Sequence, residues 1–112
     1  MPFINVKTNV PISRDKCEDI KSALGKAITA LPGKSEQWLM VGIEPDQVLY
    51  FQGQDDPCAM VQVQTYGTNA QDTDTLTAQI CEILNKELSI PQNRTYVSYF
   101  GTANWGWNGG NF

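Results

Sequence analysis

The chain has 112 residues, 41% of them hydrophobic, and a formal net charge of −4, which fits one domain over residues 1–112 with a single core. It contains no histidine, so Ser-His-Asp and Cys-His catalysis, histidine zinc sites and imidazole proton transfer are all excluded. Its lysines and arginines are dispersed rather than clustered, which argues against nucleic acid as a partner.

The chain opens Met1-Pro2. Methionine is usually cleaved before a small second residue, and Pro2 would then carry a free secondary amine in a ring of fixed φ. An α-amine titrates at about 7.7–8.0, and burial beside a cation lowers that value toward neutrality. With histidine absent, this amine is the best general base the chain can offer. Residues 3–8 alternate in strand fashion, with Asn5 and Lys7 against apolar neighbours. Pro11 ends the strand and Ser13 is placed to cap a helix. Cys17, Ile20, Leu24, Ala27, Ile28 and Leu31 recur at helical spacing, and Pro32-Gly33 stops the run. A mostly apolar strand is expected over 38–43, a turn at Pro45-Asp46, and a short strand over Val48–Phe51.

Residues 53–57 read as a loop and 58–66 as a long strand. Asn69 or Asp72 would cap a second helix whose face is Leu76, Ile80, Ile83, Leu84 and Leu88. A loop over 89–94 leads to a strand at 95–100, and Asn108-Gly109-Gly110 marks a tight turn in the aromatic tail. The predicted fold is α+β: two β-α-β repeats forming a four-stranded mixed sheet, two helices on one face, and short extra strands. The other face has no helix to cover it, so oligomerisation is expected, with the tail pairing to a neighbouring sheet edge. Three scattered cysteines imply no disulfide framework; Cys17 and Cys81 read as buried apolar residues. No apolar run approaches about 18 residues and no signal peptide precedes Pro11, so no membrane association and a cytoplasmic location are expected.

Several short segments converge. They are Pro2, Thr8-Asn9-Val10-Pro11, Gly33-Lys34, Pro45-Asp46-Gln47, Asp56-Pro57-Cys58-Ala59, Pro91 to Val97, and Trp105-Gly106-Trp107-Asn108-Gly109-Gly110-Asn111-Phe112. In this order and spacing the sequence resembles the macrophage migration inhibitory factor family of the tautomerase superfamily, over essentially its whole length. The resemblance implies a homotrimer with three sheets around a central channel. It also implies keto–enol tautomerisation of phenylpyruvate-like α-keto acids, without metal or organic cofactor. The other reading it leaves open is a cytokine-like signalling or binding protein with a vestigial pocket, exported without a signal peptide and acting on a protein receptor. Hydration or dehalogenation of an unsaturated acid ranks third, because the carboxylates fall mostly in loops and on helix faces.

By the same resemblance, Pro2 would be the catalytic base and Lys34 would pair with the substrate carboxylate. On its own, Lys34 also reads as a solvated lysine favoured at a helix C-terminus. The Tyr66 backbone N–H would meet a substrate oxygen. Tyr96 and Ser98 would reach the pocket of a neighbouring subunit, Ser98 replacing a longer asparagine. Phe3 is either a pocket residue or a core residue of the first strand. Trp105 and Trp107 would wall the pocket or pack a subunit interface. Cys58-Ala59-Met60-Val61 lacks a second thiol, so thioredoxin-like redox chemistry has no resolving cysteine.

Overall fold

The computed structural model describes residues 1–67 and 72–112. Strand β1 (Pro2–Thr8) buries Pro2, Ile4, Val6 and Thr8 and turns Phe3, Asn5 and Lys7 the other way, the two-residue period of a strand. Helix α1 (Arg14–Ala27) starts at Ser13, whose hydroxyl accepts from Lys16 N–H at 3.2 Å, satisfying one of the free amides of the first turn. The apolar stripe predicts helix through Leu31. The α-helix instead ends at Ala27 and tightens into a 3₁₀ turn over Ile28–Ala30, which still buries Ile28 and Leu31.

Trp38, expected to open a strand, lies in a second 3₁₀ turn (Glu36–Trp38), and β2 begins at Met40 (Met40–Glu44). Val48–Phe51 is not a strand; Phe51 makes only an isolated bridge to Gln54. Strand β3 (Ala59–Tyr66), helix α2 (Thr73–Leu88) and β4 (Thr95–Thr102) follow. Asp72 occupies the N-cap position of α2, with φ 61° and no capping hydrogen bond from its side chain; Asn69 lies outside the described residues. The tail forms a hairpin of its own, β5 (Gly106–Trp107) with β6 (Gly110–Asn111).

The main sheet has the order β2-β1-β3-β4. β1 runs parallel to β2 and antiparallel to β3, and β3 runs parallel to β4. Each helix therefore links two parallel strands, as the alternation of elements requires. Ile4, Val6, Val61 and Val63 meet Ile20, Leu24, Leu76, Ile80 and Leu84 in a fully buried core, each side chain contributing about 1.5–3 kcal/mol. The buried Thr8 hydroxyl donates to Cys58 O at 2.6 Å, so its burial is compensated. Cys58 and Cys81 are buried, whereas Cys17 is only half-buried.

The sheet register aligns the opposite face in rows: Met40, Phe3, Gln64 and Phe100; then Gly42, Asn5, Gln62 and Ser98; then Glu44, Lys7, Met60 and Tyr96. Among the described residues, no helix covers this face. Phe3 belongs to this open face, so its alternative placement in the core is corrected. Among the described residues, no helix is long and apolar enough to cross a membrane.

Candidate functional site

Three segments meet at one end of the sheet. Pro2, the first residue of β1, pairs with Thr65 near the end of β3. The next residue of β3, Tyr66, donates its N–H to Met1 O at 3.1 Å. After α1, Gly33 takes φ 76°, a conformation that suits a residue without Cβ. Lys34 N–H then closes a turn to Leu31 O at 3.1 Å. The turn aims Lys34 back at the sheet, where its Nζ donates to Tyr66 O at 3.1 Å. The start of the chain, the Lys34 ammonium and both backbone groups of Tyr66 thus share one neighbourhood.

The electrostatics of that neighbourhood act on the terminal amine. With Met1 in place the amine belongs to Met1, and Pro2 nitrogen is a tertiary amide. Burial lowers the amine below its ordinary value of 8.0, and the Lys34 charge lowers it further. Both effects disfavour the protonated form.

An aromatic wall stands beside this cluster. The Tyr66 ring lies 5.4 Å from Phe112, Phe112 stacks on Trp107 at 6.3 Å, and Trp107 meets Trp38 edge-on at 5.2 Å, spacings favourable for aromatic pairs. The hairpin turn holds the wall together. Asn108 and Gly109 take φ 54° and 84°, and Phe112 N–H donates to Trp105 O at 3.0 Å. Trp105 is half-buried at the base of the hairpin. Trp107, Phe112, Trp38 and Tyr66 remain 52%, 52%, 42% and 37% exposed, so the wall has free surface for a flat apolar ligand.

Sequence reasoning names Trp107 and Tyr66 but misses Trp38 and Phe112. The available signals are the short spacing of Trp38 from Lys34 and the position of Phe112 at the end of the tail motif. Three other expected residues lie outside this cluster. Tyr96 pairs in register with Met60, and Ser98 with Gln62, whereas Pro2 pairs with Thr65. At about 3.3 Å per residue, Tyr96 is roughly 17 Å along the sheet from Pro2. It packs edge-on against Phe51, 5.0 Å away. Ser98 Oγ is buried without a hydrogen-bond partner among the described residues. Phe3 lies one residue from Pro2 but on the open face, with its ring against Gly42. Among the described residues, no three His, Cys, Asp or Glu side chains are grouped to hold a metal ion.

The family model described as macrophage migration inhibitory factor matches residues 1–112. The macrophage migration inhibitory factor of Xenopus laevis is 36% identical over 116 aligned positions, covering 100% of this chain and 99% of that protein. Among solved structures, Leishmania major MIF2 superposes with a TM-score of 0.93 at 33% identity, covering 100% of this chain and 97% of that one. The macrophage migration inhibitory factor from Trichinella spiralis superposes with a TM-score of 0.81 at 25% identity, covering 98% and 99%.

Proposed function

This chain belongs to the macrophage migration inhibitory factor family, and from that membership we propose that it is a keto–enol tautomerase of phenylpyruvate-like α-keto acids. The observation that carries the proposal is the convergence of the chain start, Lys34 and the Tyr66 amide beside an aromatic wall. Once Met1 is removed, Pro2 nitrogen becomes a secondary amine in the environment that lowers the Met1 amine. It is then unprotonated in a larger fraction of molecules and can act as a base near neutral pH.

The substrate carboxylate pairs with the Lys34 ammonium, and its ring lies along Trp107 and Phe112. Pro2 nitrogen takes the C3 proton, the electrons of the C–H bond form the C2–C3 double bond, the carbonyl π electrons move to oxygen, and protonated Pro2 gives its proton to that oxygen, leaving the enol and a neutral amine. In the reverse direction Pro2 takes the enol proton and delivers it to C3. Met1 O stands in for an oxygen that a substrate would present to the Tyr66 N–H. A homotrimer covers the open face of the sheet and brings Tyr96 and Ser98 of one copy to the Pro2 end of the next.

The test is tautomerisation of phenylpyruvate by protein whose amino terminus is identified by mass spectrometry. Protein beginning at Pro2 is expected to be active. Pro2→Gly is expected to lose roughly 10²–10⁴-fold in kcat with the oligomer intact. Equal turnover by that variant removes Pro2 from the mechanism. A processed but inactive trimer points instead to the signalling reading.

A further inference from the structure

Arg94 lies one residue before β4, but its side chain serves the loop between β2 and β3. Nε donates to Pro57 O at 3.0 Å, and one terminal nitrogen donates to Gln54 O at 3.2 Å and Asp56 O at 3.1 Å. Its Cζ also lies 5.2 Å from the centroid of the Phe51 ring. Phe51 in turn meets Tyr96 edge-on, with centroids 5.0 Å apart and planes at 86°. The path from guanidinium to tyrosine is therefore only two contacts long.

The loop backbone is also held by contacts that do not involve Arg94. Phe51 and Gln54 exchange backbone hydrogen bonds of 2.9 and 3.0 Å, closing a turn in which Gln52 and Gly53 take φ 54° and 74°. Asn9 holds the loop from the other side. Its Nδ2 donates to Leu49 O, Asp55 O and Asp56 O, and its Oδ1 accepts from Cys58 N–H. To these Arg94 adds three hydrogen bonds to loop carbonyls and a planar cation on the Phe51 ring. A lysine could supply charge but not the fork that grips three carbonyls while lying against an aromatic face.

We propose that Arg94 is a positioning residue for the tautomerase reaction, acting through Phe51 to fix the orientation of the Tyr96 ring. This rests on the reading above, in which Tyr96 reaches the substrate bound by a neighbouring copy. Within one copy Tyr96 is 60% exposed, and Phe51 is the aromatic ring packed against it. Releasing it weakens capture of the substrate without disturbing Pro2 or Lys34, which lie at the far end of the sheet. The effect therefore falls on KM rather than kcat.

Two variants test this, Arg94→Lys and Phe51→Leu, with trimer content and melting temperature checked in parallel. Each is expected to raise KM for phenylpyruvate roughly two- to tenfold, the range of one aromatic pair, with kcat within about twofold of the parent. In a Tyr96→Ala background, adding Phe51→Leu is expected to change KM by less than about twofold, because the residue it acts through is gone. NMR of ring-labelled tyrosine reads the ring directly. The Tyr96 signal is expected to move toward the averaged position of a free ring in both variants. An unchanged Tyr96 signal, or an equal KM rise in the Tyr96→Ala background, overturns the positioning role. Failure of the unsubstituted processed protein to turn over overturns the tautomerase reading on which it rests, and the NMR arm distinguishes that outcome from loss of ring order alone.

Discussion

Lys34 is given two tasks at once, and replacing it with alanine should separate them. The first is binding. A hydrogen bond to a charged partner contributes about 1.5–3 kcal/mol, and Lys34 is half-buried, so screening favours the low end of that range. About 1.5 kcal/mol corresponds to roughly a tenfold rise in KM. The bond from Lys34 Nζ to Tyr66 O is exposed, so water can replace it and Lys34→Ala should leave the fold intact. The second task is electrostatic. The Met1 amine lies below 8.0 because of burial first and Lys34 second, and the same two causes act on the Pro2 amine once Met1 is removed. Removing the charge raises its pKa toward 8.0, and burial keeps it from returning fully. Because the base must be neutral to accept a proton, the acidic limb of kcat/KM moves to higher pH. Stability follows the same sign. The unfolded chain holds this proton more tightly, so the contribution to stability is full above 8.0 and declines as pH falls toward the lower folded value. Lys34→Ala narrows that window. Phenylpyruvate kinetics from about pH 5 to 9 and an NMR titration of the terminal amine measure both tasks. A tenfold KM rise with an unmoved acidic limb would show that Lys34 binds substrate but does not tune the base. An unmoved KM would refute the carboxylate contact.

Two further substitutions test the scaffold. Ser89 terminates α2 at φ 56°, where a Cβ is disfavoured by about 1–2 kcal/mol. Ser89→Gly relieves this, less the extra freedom glycine has in the unfolded chain, for a net gain of about 0.5–1 kcal/mol. In a protein of 112 residues that raises the melting temperature by about 2–4 °C; an unchanged or lower melt contradicts the strain. On the open face, a Cβ at Gly42 would lie 2.6 Å from Asn5 Oδ1 and 3.4 Å from the Phe3 ring. Gly42→Ala is expected to displace the Asn5 side chain, break its 2.7 Å bond to Glu44, and cost about 1–2 kcal/mol by denaturant unfolding. In an Asn5→Ala background the same substitution should cost almost nothing, and a full cost there would locate the clash elsewhere.

The two β-α-β units are legible because their signals are local. The alternation of β1 and the three- and four-residue spacing of the helix faces each lie within one element. The errors occur where distant residues decide. Val48, Leu49, Tyr50 and Phe51 have strand-forming side chains, yet Asn9 and Arg94 bind the carbonyls of residues 49, 54, 55, 56 and 57 and hold this stretch in a loop. Trp38 is strand-like by type but turns with Glu36 and Gln37, which carries it to Trp107. Phe3, read as pocket or core, differs from these: it shares the parity of Asn5 and Lys7 in β1, a local signal that places it on the open face.

The site shows the same division. Pro2 and Lys34 stand out through residue type and the family resemblance, while Pro2's nearness to Tyr66 depends on the antiparallel pairing of β1 with β3 and that of Lys34 on the turn after α1. The Tyr66 donor is a backbone amide, so no side-chain pattern can mark it. The structure adds one physical link that sequence could not supply. The Met1 carbonyl is the group that makes Pro2 nitrogen an amide, and it is also the acceptor of the Tyr66 N–H. Cleavage of the Met1-Pro2 bond therefore frees a base and a hydrogen-bond donor together, beside a cation already in place. On the proposed reading, that single cleavage completes the polar half of the site.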